Sequence, residues 1–221
     1  MIKVYIAGTE ALKDTVLFQK RYREVPESRR EKIDRICSEQ DKRLSLGAWL
    51  LLQKGLADYG IDVKNIRLGY GVNGKPFLKD YPDLFFNLSH SGERVMCAVS
   101  AHEIGCDVEK IKENNLKVAK RFFQEKEYEQ IINQETPQKR LEMFYRMWTL
   151  KESFMKVTGM GMKLPLDSFM IEISEEKITV WQEDKPENYF FKEYNLQDGY
   201  KYACCATEND YEEEIYKYSF M

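Results

Sequence analysis

Two acidic residues, Asp107 and Glu109, are separated by a single position in a short apolar segment. If this segment is a β-strand, alternation places both carboxylates on one face and the side chains of Ile104, Cys106 and Val108 on the other. Unpaired carboxylates are costly to bury in such a segment, so a bound cation or an open cleft would explain them. The spacing alone is weak evidence, because the chain has 37 Asp and Glu residues, and a solvated strand face is the alternative.

A second group of charged residues recurs at helical spacing further along the chain. Trp148, Glu152 and Lys156 lie four residues apart, which places them on one helix face, and Lys151 precedes Glu152. If this face packs against the acidic strand, Glu152 becomes a third oxygen ligand. Mg²⁺ prefers a few carboxylates, some water and substrate phosphate oxygens. The residues therefore predict a site for Mg²⁺ and a diphosphate, in which Lys151 and Lys156 contact phosphates rather than pair with the carboxylates.

Two turns elsewhere carry residues suited to anions. Ser89 and His90 end an apolar strand, and the backbone N–H groups of such turns bind phosphates. A histidine that only satisfies a strand end is the alternative, and the adjacency does not make a nucleophile–base pair because neighbouring strand side chains point apart. Lys75, between Gly74 and Pro76, is available for an anion or for stacking on a ring, although this turn alone is an ordinary one.

Basic residues outnumber acidic ones between Lys20 and Arg43. A solvated helix surface explains most of this excess. Three of its members, Arg29, Lys32 and Arg43, are candidates for neutralising a phosphate or meeting an acidic protein partner.

Length and composition bound the class of protein. With 221 residues, 43% hydrophobic and 13% aromatic, the chain is expected to be globular, as one domain or two small ones. A net charge of -3 gives no general case for nucleic-acid binding. No apolar run approaches the ~20 residues of a membrane span, and the N-terminus predicts a strand rather than a secretory signal. The odd number of cysteines, five, without metal spacing, predicts small buried side chains in a reducing cytoplasm.

The predicted elements run from helices to strands twice. Helices are expected over about 11–23, 26–37, 41–60, 116–123, 126–133 and 137–157, and strands near 1–8, 66–70, 85–89, 95–100, 104–108, 169–173, 178–181, 189–194 and 200–206. This order predicts an α+β chain of two similar-sized halves, 1–102 and 103–221. A ligand is expected in the cleft between them.

Together these segments resemble the 4'-phosphopantetheinyl transferases of the surfactin-synthetase-activating type. The resemblance covers nearly the whole chain and is carried, in the family's order and spacing, by Gly74-Lys-Pro76, Phe86-Asn-Leu-Ser-His-Ser91, Ile104-Gly-Cys-Asp-Val-Glu109, Arg121-Phe-Phe123 with Glu127, Trp148-Thr-Leu-Lys-Glu-Ser153 with Lys156, and Leu164-Pro-Leu-Asp-Ser-Phe169. No single motif is decisive, but the ordered set is specific.

The resemblance implies a monomer of two pseudo-symmetric α/β halves, with coenzyme A and Mg²⁺ in the cleft between them. The positions that bind Mg²⁺ in the family correspond to Asp107, Glu109 and Glu152. Phosphate contacts are implied for Lys151, Lys156 and the Ser89-His90 turn, adenine contacts for Lys75 and Pro76, and 3'-phosphate contacts for Arg29, Lys32 and Arg43.

The reaction implied is attack by a carrier-protein serine on the phosphorus that bears the pantetheine arm of coenzyme A, with release of 3',5'-ADP. Glu152 is the first candidate for the base that takes the serine proton, and Glu127 is the second. Lys156 is expected to stabilise the charge that develops on the phosphoryl oxygens. The alternatives are a Mg²⁺-dependent nucleotide or phosphoester hydrolase and a non-catalytic protein that binds coenzyme A.

Overall fold

The computed structural model describes residues 1–63, 66–113, 116–183 and 185–221. Its helices are α1 (Thr15–Arg23), α2 (Glu27–Asp34), α3 (Glu39–Ala57), α4 (Lys117–Phe122), α5 (Glu125–Ile132) and α6 (Pro137–Val157). Its strands are β1 (Lys3–Gly8), β2 (Leu68–Tyr70), β3 (Pro76–Leu78), β4 (Phe85–Ser91), β5 (Arg94–Ser100), β6 (Ile104–Lys110), β7 (Met170–Ile173), β8 (Ile178–Gln182), β9 (Lys185–Pro186), β10 (Phe190–Tyr194), β11 (Tyr200–Ala206) and β12 (Tyr216–Tyr218). Within these described segments, no helix has the length and apolar character needed to cross a membrane.

Side chains that cap the helices account for where several of them begin. Asp14 accepts the backbone N–H groups at the start of α1, and Ser38 does the same for α3. Thr136 caps α6, whose first residue is Pro137. A side-chain oxygen at the N-cap satisfies an amide that lacks a helical partner, and proline is favoured in the first turn.

The first half is built on a sheet of strand order β12-β1-β5-β4. Helix α3 packs on this sheet, where Leu46, Leu51, Leu52 and Leu56 are fully buried. The short β2–β3 hairpin forms a separate two-stranded sheet. The apolar spacing along α3 thus explains how the first core forms.

The second half is built on an antiparallel sheet of order β10-β11-β6, which α6 crosses. Helix and strand approach most closely at Gly105, where a Cβ atom would lie 2.1 Å from the Ser153 carbonyl oxygen. Only glycine fits there, because any side chain would displace the helix backbone. This close approach brings the last turns of α6 beside the carboxylates of β6.

The two sheets meet where β4, the edge strand of the first sheet, faces β6, the edge strand of the second. Described residues show no backbone ladder between them. Side-chain oxygens of Asn87, Ser89 and Ser91 instead accept the backbone N–H groups of Cys106, Val108 and Lys110, at 3.0, 3.3 and 3.2 Å. The side-chain oxygens of alternate β4 residues therefore take the place of the backbone carbonyl oxygens of a neighbouring strand. In this way the buried N–H groups of β6 are paired.

The structure confirms most predicted elements and corrects some. The segment near the start of the first predicted helix is a separate 3-10 turn, Glu10–Lys13, and α3 begins at Glu39, two residues before the predicted start. Cys37 is exposed, which contradicts the expectation that all five cysteines are buried. Cys204 and Cys205 do lie on opposite faces of their strand, in different cores.

The end of the chain returns to the first half. Strand β12 pairs in parallel with β1, and Phe220 packs in the same core as α3. The expected division into 1–102 and 103–221 therefore differs from the packing in one respect, because the last residues of the second segment complete the first sheet.

Candidate active site

The acidic residues of β6 lie on one face of the strand, toward β4 and α6. Asp107 is buried and accepts a hydrogen bond from the Ser89 hydroxyl, 2.7 Å from Oδ1. Glu109 is partly buried and accepts a hydrogen bond of 2.6 Å from Ser91. Cys106 lies on the opposite face, in the core between the halves. The alternation predicted from the sequence is thus confirmed, and two serines of β4 orient the two carboxylates.

Lys156, in the last turn of α6, reaches the same group of atoms. Its Nζ lies 2.6 Å from Asp107 Oδ1 and 3.1 Å from Ser89 Oγ and from the Cys106 carbonyl oxygen. Burial lowers the pKa of Lys156, but the charge and hydrogen bond of Asp107, together with Cys106 and Glu152, outweigh burial, so the pKa is raised. The ammonium group therefore stays charged beside the acidic strand.

Glu152 lies one helical turn before Lys156 and shares the field of the strand carboxylates. Burial raises the pKa of Glu152, and the charges of Asp107 and Glu109 raise it further. Burial likewise raises the pKa of Glu109, against the hydrogen bond from Ser91. A carboxyl group with a raised pKa accepts a proton more readily, which suits a general base.

A metal ion can be tested against this arrangement. Within residues 1–63, 66–113, 116–183 and 185–221, no three His, Cys, Asp or Glu side chains lie close enough to hold a metal. The carboxylates of Asp107, Glu109 and Glu152 act on one another electrostatically but do not form a closed cluster, and Lys156 pairs with Asp107. Asp107 Oδ2, however, is buried and has no hydrogen-bond partner among the described residues. An unpaired buried carboxylate oxygen is costly, so these residues fit a hard cation.

Lys151, which lies in α6 five residues before Lys156, has an environment different from the one predicted. Its side chain is fully buried, pairs with Glu127 at 2.6 Å and donates to the Phe169 carbonyl oxygen at 2.9 Å. Glu127 is 1% exposed and also accepts the backbone N–H groups of Gln124 and Ile171. The sequence predicts that Lys151 contacts a phosphate and pairs with no carboxylate. In the structure, Lys151 and Glu127 instead form a buried ion pair that stabilises the fold.

His90 connects the acidic site to the basic residues of the first half. Partial burial lowers its pKa, and the positive charges of Lys156 and Arg29 act in the same direction, whereas Asp41 opposes them. Burial and these positive charges therefore favour the neutral imidazole. Such a position would be relieved by an anion.

The three basic candidates of the N-terminal region do not share one environment. Arg29 donates to the Ser45 hydroxyl at 2.9 Å, and its guanidinium lies 5.4 Å from the Trp49 ring centre. Burial lowers the pKa of Lys32, and Arg29 lowers it further, which places these two cations near each other. Arg43 instead lies 3.9 Å from Glu93.

Lys75 and Pro76 lie at the start of β3, beside a cavity of about 360 Å³. The cavity walls are mostly apolar, with Phe77, Leu78 and Tyr81 among them. The ammonium of Lys75 pairs with Glu103 at 2.6 Å rather than pointing into open solvent. Glu103 and Ser91 are not among the site residues predicted from the sequence. The alternation of Asn87, Ser89 and Ser91 would have indicated Ser91.

Comparisons with known proteins identify related sequences. Residues 103–205 match the family model described as the 4'-phosphopantetheinyl transferase superfamily, and residues 14–102 match one described as 4'-phosphopantetheinyl transferase, N-terminal. The 4'-phosphopantetheinyl transferase Sfp of Bacillus subtilis strain 168 is 36% identical over 194 residues, 87% of this chain and 86% of that protein. The gsp enzyme of Aneurinibacillus migulanus is 35% identical over 82% of this chain and 76% of its own length.

More distant similarities extend to animals and to a smaller bacterial protein. The human L-aminoadipate-semialdehyde dehydrogenase-phosphopantetheinyl transferase is 30% identical over 76% of this chain and 59% of its own length. The holo-[acyl-carrier-protein] synthase structure from Thermotoga maritima has a TM-score of 0.39 at 19% identity, over 47% of this chain and 61% of that one.

These similarities define a class of enzymes with a mixed α/β fold. The chain belongs to the 4'-phosphopantetheinyl transferase superfamily, which confirms the resemblance inferred from its motifs.

Proposed function

We propose that this protein transfers the 4'-phosphopantetheine arm of coenzyme A to a serine of an apo acyl- or peptidyl-carrier protein, with Mg²⁺, and releases 3',5'-ADP. The observation that supports this most strongly is the group around Asp107. One of its carboxylate oxygens is paired with Lys156 and the other, although buried, has no hydrogen-bond partner in the described part of the chain. A charged, incompletely satisfied cleft suits a substrate that brings phosphates.

The transfer is a phosphoryl substitution in which the serine oxygen forms a bond to the phosphorus of the pantetheine arm. The bond from that phosphorus to the ADP oxygen breaks, and its electron pair leaves with 3',5'-ADP. Glu152 takes the serine proton in this proposal, since its carboxylate lies in the same site as those of Asp107 and Glu109. Glu127, the second candidate, is buried in its pair with Lys151 and is less suited to reach a substrate.

Asp107, Glu109 and Glu152 would hold Mg²⁺, which when bound neutralises part of the diphosphate charge. Lys156 contributes a fixed positive charge beside Asp107, and charge aimed at developing oxyanions favours the transition state. His90, with Arg29 and Lys32, gives a basic surface for the remaining phosphate of coenzyme A.

The proposal includes a monomer in a reducing cytoplasm, without a nucleic-acid or membrane partner. Free thiols on all five cysteines support the reducing compartment. The carrier protein is the macromolecular partner, and it supplies the nucleophile.

The test is incubation with coenzyme A, Mg²⁺ and apo carrier proteins, followed by the intact mass of each carrier. We expect a gain of one phosphopantetheine and an equal amount of 3',5'-ADP, both lost on adding a chelator. Release of 3',5'-ADP without modification of any carrier would favour the hydrolase. Coenzyme A binding with neither product would favour a non-catalytic binding protein.

A further inference from the structure

The turn of the β2–β3 hairpin is fastened to the second half by two side chains. Lys75 Nζ lies 2.6 Å from Glu103 Oε2 and 3.0 Å from the Val157 carbonyl oxygen. Asn73 donates its side-chain N–H to the Gly159 carbonyl oxygen at 3.1 Å. The hairpin, which is separate from the large sheets, thus contacts the end of α6 directly.

The contact with Val157 has a physical basis in the helix. Val157 is the last residue of α6, and the final carbonyl groups of a helix lack intrahelical partners. A cation at this end also interacts favourably with the helix dipole. The same turn carries Lys156, whose ammonium contacts Asp107. The hairpin therefore contacts and stabilises the last turn of α6, from which Lys156 reaches the acidic strand.

Glu103 provides the second contact for Lys75, from the start of β6. It immediately precedes β6, and its carbonyl oxygen accepts the Thr207 N–H at 3.2 Å, so its backbone is fixed. The Lys75 side chain is 20% exposed and that of Glu103 is 46% exposed, which places the pair at the rim of the cleft. Two of the three ammonium donors of Lys75 are used here, and its stem and backbone remain for a ligand.

We propose that Glu103 is a positioning residue for coenzyme A binding. Glu103 holds the Lys75 ammonium on the second half, so that the turn formed by Gly74, Lys75 and Pro76 is preorganised for the nucleotide. The turn then contacts the nucleotide through its backbone and through the stem of the Lys75 side chain. This inference rests on the proposed function. Preorganisation strengthens binding because the ordering cost is met before the ligand arrives.

The opposite arrangement makes a different prediction. If the Lys75 ammonium leaves Glu103 for a ligand phosphate, Glu103 competes with coenzyme A, and removing Glu103 strengthens binding. If the proposal holds, removing either partner weakens binding. The sign of the Glu103→Ala effect therefore separates the two arrangements.

The experiment measures coenzyme A affinity by calorimetry for Glu103→Ala, Lys75→Met and the double variant. We expect each single change to weaken binding about three- to fivefold, consistent with a partly exposed ion pair. The double variant should be no weaker than the worse single variant, because both changes remove one interaction. For Glu103→Ala the rate constant at saturating coenzyme A should fall by less than the affinity does, since Glu103 contacts Lys75 rather than a reacting phosphate. Unchanged or tighter binding by Glu103→Ala, or additive losses in the double variant, would overturn the proposal.

A matched control and a second measurement protect the interpretation. Asp80 pairs with Arg67 within the first half, so Asp80→Ala removes an equivalent charge without touching α6 and should leave affinity unchanged. Hydrogen exchange of the Gly71 and Gly74 amides, which are bonded within the turn, should accelerate in Glu103→Ala and not in Asp80→Ala. A wild-type enzyme that binds coenzyme A without modifying any carrier would overturn the proposed function, and the affinity and exchange measurements would still decide the role of Glu103.

Discussion

The pairs Lys151–Glu127 and Lys156–Asp107 of helix α6 are equal in length but differ in their surroundings. Lys151 and Glu127 are fully buried, and backbone groups use the remaining oxygens of Glu127. Lys156 and Asp107 are also 2.6 Å apart, but one buried Asp107 oxygen lacks a partner among the described residues. The first pair is complete within the protein, whereas the second has capacity for a ligand. Pairing alone therefore does not distinguish a structural residue from a functional one; unused hydrogen-bonding capacity does.

The largest effect on activity is expected at the Lys156–Asp107 pair, called the open pair because one Asp107 oxygen lacks a partner among the described residues. Asp107→Asn should lower carrier modification about 100- to 1000-fold, because it removes a negative charge from the site proposed for Mg²⁺. The fold should survive, since the amide has the same shape and the Lys156 side chain, unlike that of Lys151, is 25% exposed and can be solvated without its counter-charge. Intact-mass kinetics measure the first effect, and thermal unfolding by circular dichroism measures the second. Full activity of this variant would remove Asp107 from the proposed mechanism.

Changes at the Lys151–Glu127 pair, called the closed pair, should lower stability rather than activity. Glu127→Gln is expected to lower the free energy of unfolding by about 3 kcal/mol, because Lys151 then remains buried without its counter-charge. Thermal unfolding should show a midpoint lower by roughly 10 °C. Turnover by the folded fraction should change little at low temperature.

The control for this prediction is the double variant Glu127→Leu with Lys151→Met. Apolar replacement of both partners should recover much of the stability lost by the single variant, since no buried charge remains unpaired. A stable Glu127→Gln enzyme that has lost turnover would instead make Glu127 the base and contradict the contrast between the two pairs.

The sequence predicted the open pair's neighbourhood better than the closed pair. Alternation in β6 and four-residue spacing in α6 are local patterns, and they indicated that Asp107, Glu109, Glu152 and Lys156 lie near one another. They did not indicate that Lys156 pairs with Asp107, since Lys156 was expected to contact a phosphate instead. Their meeting depends on Gly105, whose need for close helix contact no local pattern indicates.

The partner of Lys151 was not predictable in the same way. Its carboxylate comes from α5, 24 residues earlier, and the pair closes only where Phe169 and β7 pack over it. The parallel pairing of β12 with β1 is still less local, because it joins the two ends of the chain. Contacts between distant segments are set by packing, which residue spacing does not record.

A smaller effect is expected from the serine that orients Glu109. Ser91→Ala removes the 2.6 Å hydrogen bond, which lowers the pKa of Glu109, so that pKa should rise in the variant. More of Glu109 is then protonated at low pH, and modification rates should fall about three- to tenfold near pH 6 and less near pH 8. Rates measured over this pH range test the direction. A uniform loss at all pH values would point to disruption of the β4–β6 seam, where Ser91 also accepts the Lys110 N–H.

The smallest expected effect concerns His90, which lies between the two regions. In the protein without substrate, partial burial, Lys156 and Arg29 lower the pKa of His90. A bound phosphate would offset the two positive charges, so the pKa should rise on binding and a proton should be taken up. Coenzyme A affinity should therefore increase as the pH falls from about 8 to 6, by a few-fold more in the wild type than in His90→Gln.

This comparison with His90→Gln cancels protonation of the ligand's own phosphates. Calorimetry in two buffers with different ionisation enthalpies counts the protons taken up at each pH. Equal proton uptake by the wild type and by His90→Gln would mean that no phosphate approaches His90. The basic surface around Arg29 would then have to bind its anion away from the acidic strand.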